Sequence, residues 1–293
     1  MLTAVVASLR PRQWIKNLFV LAGLIFAQRL FTPDAWTALG AFAIFCALSG
    51  AVYLVNDVAD VARDRAHPVK RARPIAAGRL PVGVALAVAV ALGAAGLAVS
   101  AYVGRGFLAT AVAYVVLVVA YSAWLKHIVI VDVLAVAVGY VLRAVAGALA
   151  IGVGISGWLL ICTILLALFL ALGKRRHELL SLPAQAEHHR PTLSDYSPAF
   201  LDQMIAVVTA STVTAYALYT LSPETYEKFH TRWLPLTLIF VLYGVFRYLY
   251  LLYQRQLGGN PSELFLSDRP LLFNTVLWIL TVVLLIYGPA WLE

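Results

Sequence analysis

Nine stretches of this sequence stay mostly apolar for about twenty residues, the length a helix needs to cross the hydrocarbon core of a bilayer. They run at 14–32, 35–57, 81–103, 107–125, 129–151, 156–174, 199–221, 233–254 and 271–290. A run that is apolar all round offers no face to water, so it belongs in lipid or in a large interior. In lipid each backbone amide must find its partner inside the segment, which makes such runs helices. The expectation is an all-α membrane protein with nine transmembrane helices, a single integral membrane domain over residues 1–293. Composition agrees: 62% of the residues are hydrophobic and 12% charged, against about 25% charged in soluble domains, and the mean hydropathy is +0.87. Pro33, Pro81, Pro198, Pro235 and Pro270 punctuate the run boundaries. The N-terminus, MLTAVVASLRPRQWIKN, is not expected to be a signal peptide, because its short apolar start precedes the charges and no cleavage site follows. Cys46 and Cys162 lie within apolar runs and suggest neither a disulfide framework nor a metal knuckle.

Basic residues orient the chain. With the N-terminus in the cytoplasm, that side carries Arg10, Arg12, Lys16, the basic run from Arg63 to Arg79, Lys126, Lys174–Arg176, Arg190, Arg247, Arg255 and Arg269. The other side keeps Arg29, Arg105, Lys228 and Arg232. The positive-inside rule therefore places the N-terminus and the long polar loops 58–80, 175–198 and 255–270 on the cytoplasmic face of a plasma (inner) membrane. In a membrane protein the net charge of +8 points to anionic headgroups and substrates, not to nucleic acid.

The densest chemistry lies in Asn56–Arg79, NDVADVARDRAHPVKRARPIAAGR, where a helix leaves the membrane. Asp57, Asp60 and Asp64 are spaced i, i+3, i+7, which on an α-helix lines three carboxylates along one face. Like charges stacked that way repel unless a hard cation bridges them. Mg2+ held by a few carboxylates completes its shell with substrate phosphates. Lys70, Arg71 and Arg73 would then hold the remaining charge of a diphosphate. A solvated juxtamembrane turn explains the basic residues but not an Asn and three Asp at one helix end.

Other constellations carry two readings each. Arg12 and Lys16, i and i+4 beside Trp14, are either an interfacial anchor or a pair facing a phosphate. Tyr121 and Lys126 are belt residues or phosphate contacts. Arg143 lies near the bilayer middle, almost three turns from Asp132. Such an Arg faces a cavity or an ionic partner, so it either pairs between helices or lines a polar pocket. Lys174, Arg175 and Glu178 share a helix face, with Asp195 and Tyr196 further on. They read as positive-inside charge or as an anion pocket. His177, His188 and His189 have no Cys partner, and their spacing does not favour zinc.

NDVADVARD matches the N-D-x-x-D-x-x-x-D signature of the UbiA superfamily of intramembrane prenyltransferases, and KRARPIAAG and YSAWLK resemble the segments that follow it there. The resemblance implies a helical barrel of nine transmembrane helices around a cavity open at the cytoplasmic side. It also implies that Asn56, Asp57, Asp60 and Asp64 hold a Mg2+–diphosphate. The chain departs from that family after the sixth run. A second aspartate motif is expected there, but GKRRHELLSLPAQAEHHRPTLSDYS is basic. Together with RPRQWIKN and VLRAVAGA, this loop resembles the decaprenyl-phosphate phosphoribosyltransferase branch. There a polyprenyl phosphate is the acceptor and phosphoribosyl pyrophosphate the donor, and the resemblance suggests arabinose donors for a cell envelope. Both donor types lose Mg2+-bound diphosphate and build positive charge on carbon. Lys174 and Arg175, with Arg12, Lys16 or Lys126, are expected to neutralise the acceptor phosphate and the ribose 5-phosphate. The nearest alternative is an aromatic prenyltransferase of quinone biosynthesis. A transporter is disfavoured by the absence of inverted repeats or paired broken helices. Apolar surface facing lipid looks like apolar surface facing a second copy, so the sequence leaves a homo-oligomer open, and it leaves the isoprenoid length open too.

Overall fold

The computed structural model describes residues 1–181 and 191–292. His188, His189 and Arg190 lie outside the described residues. Eight of the expected spans form α-helices long and apolar enough to cross a membrane. They are α1 (Asp34–Ala59), α2 (Val82–Val103), α3 (Arg105–Ala123), α4 (Val131–Ala150), α5 (Gly157–Ser181), α6 (Pro198–Leu221), α7 (Leu238–Tyr253, which reaches spanning length with the 3₁₀ turn Leu234–Thr237 before it) and α8 (Arg269–Leu292). No strand occurs among the described residues. The boundaries follow local chemistry. Ser197 caps α6 by accepting from Phe200 N at 3.1 Å, with Pro198 in the first turn. Asp268 does the same for α8 through Leu271 N at 2.9 Å. The helix α5 runs seven residues past its expected end because Arg175–Glu178 and Lys174–Glu178 pairs, i+3 and i+4 apart, support it beyond the apolar run.

The first expected span, 14–32, is built differently. Residues Pro11–Leu21 form a 3₁₀ helix that continues into a short α-helix, Ala22–Phe26. Eleven residues of 3₁₀ is long for that geometry, and tertiary contacts sustain it. Gly147 of α4 lies so close that a Cβ there would meet the Val20 carbonyl oxygen at 1.7 Å, so a side chain at 147 would exclude the segment. Asn17, buried, donates to Ser49 Oγ at 3.2 Å and accepts from Arg143 Nε at 2.7 Å.

The chain divides into two compact units, residues 1–24, 29–123 and 142–154 in one and 25–28, 124–141 and 155–293 in the other. In the first, α1 is the enclosed helix: 61% of its apolar window is buried, against 17% for α2 and 22% for α3, which keep broad apolar faces outward as lipid-facing helices do. Its interior joins Phe45, Leu48, Phe107, Tyr114 and Val20, with Phe45 edge-on to Phe107. In the second, α5, α6 and α7 enclose Phe169, Leu172, Leu201, Ile205, Tyr248 and Leu252.

Candidate functional site

The polar end of α1 is held from three directions. A bend at Asp60 (φ −94°, ψ 6°) separates α1 from the next helix, Val61–Ala66, with the hydrogen bonds Asp60 N to Asn56 O and Asp64 N to Asp60 O on either side of it at 2.9 and 2.8 Å. The loop beyond returns to the same helix end because Ile75 and Leu80 are buried with Leu54, Ala85 and Ala89. Its basic side chains secure it: Arg65 Nε donates to Ala76 O at 3.2 Å and Arg79 Nη2 to Ala72 O at 2.7 Å. Gly78, at φ +73°, supplies the left-handed turn that closes it.

This folding brings Arg73 onto the acidic signature. Its Nη1 donates to Asp57 Oδ1 at 3.1 Å and to Asp64 Oδ2 at 2.7 Å, and Arg10 Nη2 donates to the same Asp57 oxygen. Asp57 and Asp64 are both buried, 3% and 2% exposed. Two carboxylates thus face two guanidiniums. The expected single row of three carboxylates is therefore split: Asp57 and Asp64 share Arg73, whereas Asp60 does not. Asp60 keeps 36% of its side chain exposed and pairs with the surface residue Arg63 at 3.3 Å. Lys70 and Arg71 form a short 3₁₀ turn, with Arg71 exposed.

Among the described residues no three His, Cys, Asp or Glu side chains gather as a metal cluster. The donor set still fits Mg2+, which takes one or two protein oxygens and leaves the rest of its shell to water and phosphate. Asn56 and Asp60 offer an amide oxygen and a solvent-accessible carboxylate one turn apart. One oxygen of each of Asp57 and Asp64, Oδ1 and Oδ2 respectively, is engaged by arginine.

Of the other expected residues in this unit, Arg143 is buried and bonds Asn17 and Tyr114 OH at 2.8 Å, with its guanidinium 4.6 Å over the Tyr114 ring. It knits α4 to α3 and to the 3₁₀ segment. Arg12 and Lys16 do not share a face. At three residues per turn they lie about 120° apart, with Arg12 exposed. Tyr121 is half-buried near the end of α3.

In the second unit Arg175 is only 2% exposed. Its Nε donates to Asp132 Oδ2 at 2.7 Å and its Nη1 to Glu178 Oε2 at 2.6 Å. Tyr196 OH donates to Asp132 Oδ1 at 2.8 Å and accepts from Ile130 N at 2.7 Å. Burial pushes the Tyr196 hydroxyl up to about 12, with the bond from Ile130 drawing it partly back. Ile130, a β-branched residue at φ +68°, holds a costly left-handed conformation that directs this N–H. Arg175 is thus engaged in the interior, whereas the Lys174 side chain is 40% exposed, 3.6 Å from Glu178 Oε1. The Lys126 carbonyl accepts from Thr192 Oγ1 at 3.3 Å. The sequence places Arg10 among the cytoplasmic basic residues but assigns it no role in the site. Its signal was the position directly before Pro11, where a chain turns.

The family model described as the UbiA prenyltransferase family matches residues 17–268. A decaprenyl-phosphate phosphoribosyltransferase of Corynebacterium glutamicum is 35% identical, over 96% of this chain and 86% of that protein. The protein of the same name from Mycolicibacterium smegmatis is 32% identical, over 98% of this chain and 93% of its own length. Among solved structures, a UbiA homolog from Archaeoglobus fulgidus bound to DMAPP and Mg2+ aligns with a TM-score of 0.72 at 20% identity, covering 96% of this chain and 98% of that one. At that identity the likeness is one of fold.

Proposed function

The chain belongs to the UbiA prenyltransferase family, and within it we propose that it transfers the 5-phosphoribosyl group of phosphoribosyl pyrophosphate to a polyprenyl phosphate, decaprenyl phosphate by its relatives' name, with release of diphosphate. The observation that carries this reading is the near-full-length similarity to the two phosphoribosyltransferases.

The bond between ribose C1 and the diphosphate oxygen breaks, and a bond from C1 to an oxygen of the lipid phosphate forms. The acceptor is already an anion, so the transfer needs no general base. Mg2+, when bound, neutralises charge on the departing diphosphate. Asn56 and Asp60 would hold the ion, with Asp57 and Asp64 fixing the helix end behind them. Lys70 and Arg71 lie in the loop beside that helix end and supply cations for a diphosphate, while Arg73, expected with them, is engaged by Asp57 and Asp64. Lys174 is the residue we assign to a substrate phosphate, with Lys126, Arg12 and Lys16 as further cations. Arg175, Glu178 and Tyr196 fix the helix that carries Lys174. We place the protein in the plasma membrane with these loops in the cytoplasm, on the asymmetry of its basic residues.

The test uses purified protein in detergent with Mg2+, labelled phosphoribosyl pyrophosphate and polyprenyl phosphate. A parallel reaction contains a prenyl diphosphate and an aromatic acid. Label entering the lipid phase, abolished by EDTA and by Asp60→Asn, is the expected result. A prenylated ring in the parallel reaction, with no labelled lipid, would return the chain to aromatic prenyl transfer.

A further inference from the structure

The N-terminal turn is aimed at the acidic helix end by contacts that none of the residues assigned above requires. Arg10 holds φ +53°, ψ 64°, a left-handed conformation that costs a non-glycine residue energy and persists only where its surroundings impose it. Trp14 Nε1 donates to Leu9 O at 3.2 Å across the turn. Leu9 lies against Gly50 of α1 so closely that a Cβ on Gly50 would meet Leu9 Cδ2 at 2.9 Å. The Arg10 guanidinium then lies 4.9 Å over the Tyr53 ring and reaches Asp57, one turn further along α1.

From Asp57 the contacts continue through Arg73 to Asp64. Asp57 precedes the break at Asp60 and Asp64 follows it, so the Arg73 guanidinium bridges the two helix segments. The angle at Asp60 decides where its carboxylate stands relative to the Asn56 amide. With Arg73 alone, Asp57 and Asp64 would leave one buried negative charge uncompensated; Arg10 makes the cluster neutral and gives Asp57 a second bond. We propose that Arg10 is a positioning residue for the transfer: through Asp57 and the Arg73 bridge it fixes the bend at Asp60 and so the geometry of the Asn56–Asp60 cation seat. This rests on the assignment of that seat above.

Mg2+ demands near-ideal octahedral geometry, whereas Ca2+ accepts a loose one. A change that blurs the seat therefore costs Mg2+ more than Ca2+, and a general loss of stability does not discriminate between them. The experiment is calorimetric titration of the full chain in detergent with Mg2+ and, separately, Ca2+, each in the presence of inorganic diphosphate. Wild type, Arg10→Gln and Arg10→Lys are compared, with the melting temperature of each recorded. Loss of a residue behind a metal site weakens binding by about 10–100-fold. Arg10→Gln is expected to weaken Mg2+ by about tenfold and Ca2+ by under about threefold, with Arg10→Lys recovering part of the Mg2+ affinity. Equal losses for both ions, or no loss in either, overturns the positioning role. If Arg10→Gln fails to fold, the Mg2+ to Ca2+ ratio of Arg10→Lys decides, and an unchanged ratio overturns it. Wild type that binds neither ion with diphosphate overturns the assignment of the seat as well.

Discussion

Two arginine–carboxylate clusters, one in each unit, use the same chemistry to different ends. In the first unit Arg10 and Arg73 face Asp57 and Asp64, with 30% and 28% of the arginine side chains exposed, at the border of a polar loop. In the second, Arg175 lies between Asp132 and Glu178 with its guanidinium and Asp132 removed from solvent. The first cluster balances two arginines against two carboxylates, while the second needs Lys174 on Glu178 to complete its charge; Asp60, an acid beside the first, and Lys174, a base at the edge of the second, stay accessible. A run of like charges in a sequence is therefore a poor guide to which member meets substrate. The buried members hold the backbone, and the accessible one is available for chemistry.

If this division is right, variants of the buried and accessible members separate cleanly. Arg175→Ala strands Asp132 without its cation in the interior. Breaking a buried pair costs about 3–5 kcal/mol, so the melting temperature is expected to fall by several degrees and Mg2+ is expected not to restore it. A stable Arg175→Ala that instead binds substrate poorly would make Arg175 a substrate ligand and erase the distinction. Lys174→Ala sharpens the other side. It is expected to leave the melting temperature unchanged and to raise KM for one phosphorylated substrate by about tenfold, the worth of one charge-assisted hydrogen bond. The smallest effect is that of Tyr196→Phe, which removes the donor to Asp132 and should cost about 1 kcal/mol. Its pH dependence has a definite sign. Burial raises the folded hydroxyl to about 12, above the ordinary value of about 10. The tyrosine's contribution is therefore complete below pH of about 10 and lost as pH rises through the folded value. The stability difference between wild type and Tyr196→Phe, followed by thermal melts, is expected to hold flat to that point and change above it.

The eight long helices were legible because the length of an apolar run is a property of the chain alone. The stretch 14–32 differs in helix type from the expected α-helix, because its 3₁₀ segment packs on Gly147 and Arg143, far away in sequence. That one difference moves Arg12 and Lys16 off a common face and gives Arg10, read only as a cytoplasmic basic residue, its contact with Asp57. The spacing of Asn56, Asp57, Asp60 and Asp64 did mark the acidic helix end. Its division into a buried pair and an accessible pair could not be read, because it is imposed by Arg73 from the loop and Arg10 from the N-terminal turn. Arg175 looked like an anion ligand among its basic neighbours, since nothing local reveals that Asp132, 43 residues earlier, closes over it.

The most direct test of the acidic helix end as the metal seat is the paramagnetic resonance of Mn2+, standing in for Mg2+, bound to the full chain with phosphoribosyl pyrophosphate. Wild type and Lys174→Ala are expected to give the bound-ion spectrum, with Lys174→Ala needing more substrate, and Asp60→Asn is expected to lose it. A bound ion that survives Asp60→Asn and disappears with Glu178→Gln would contradict the assignment and move the metal to the second unit.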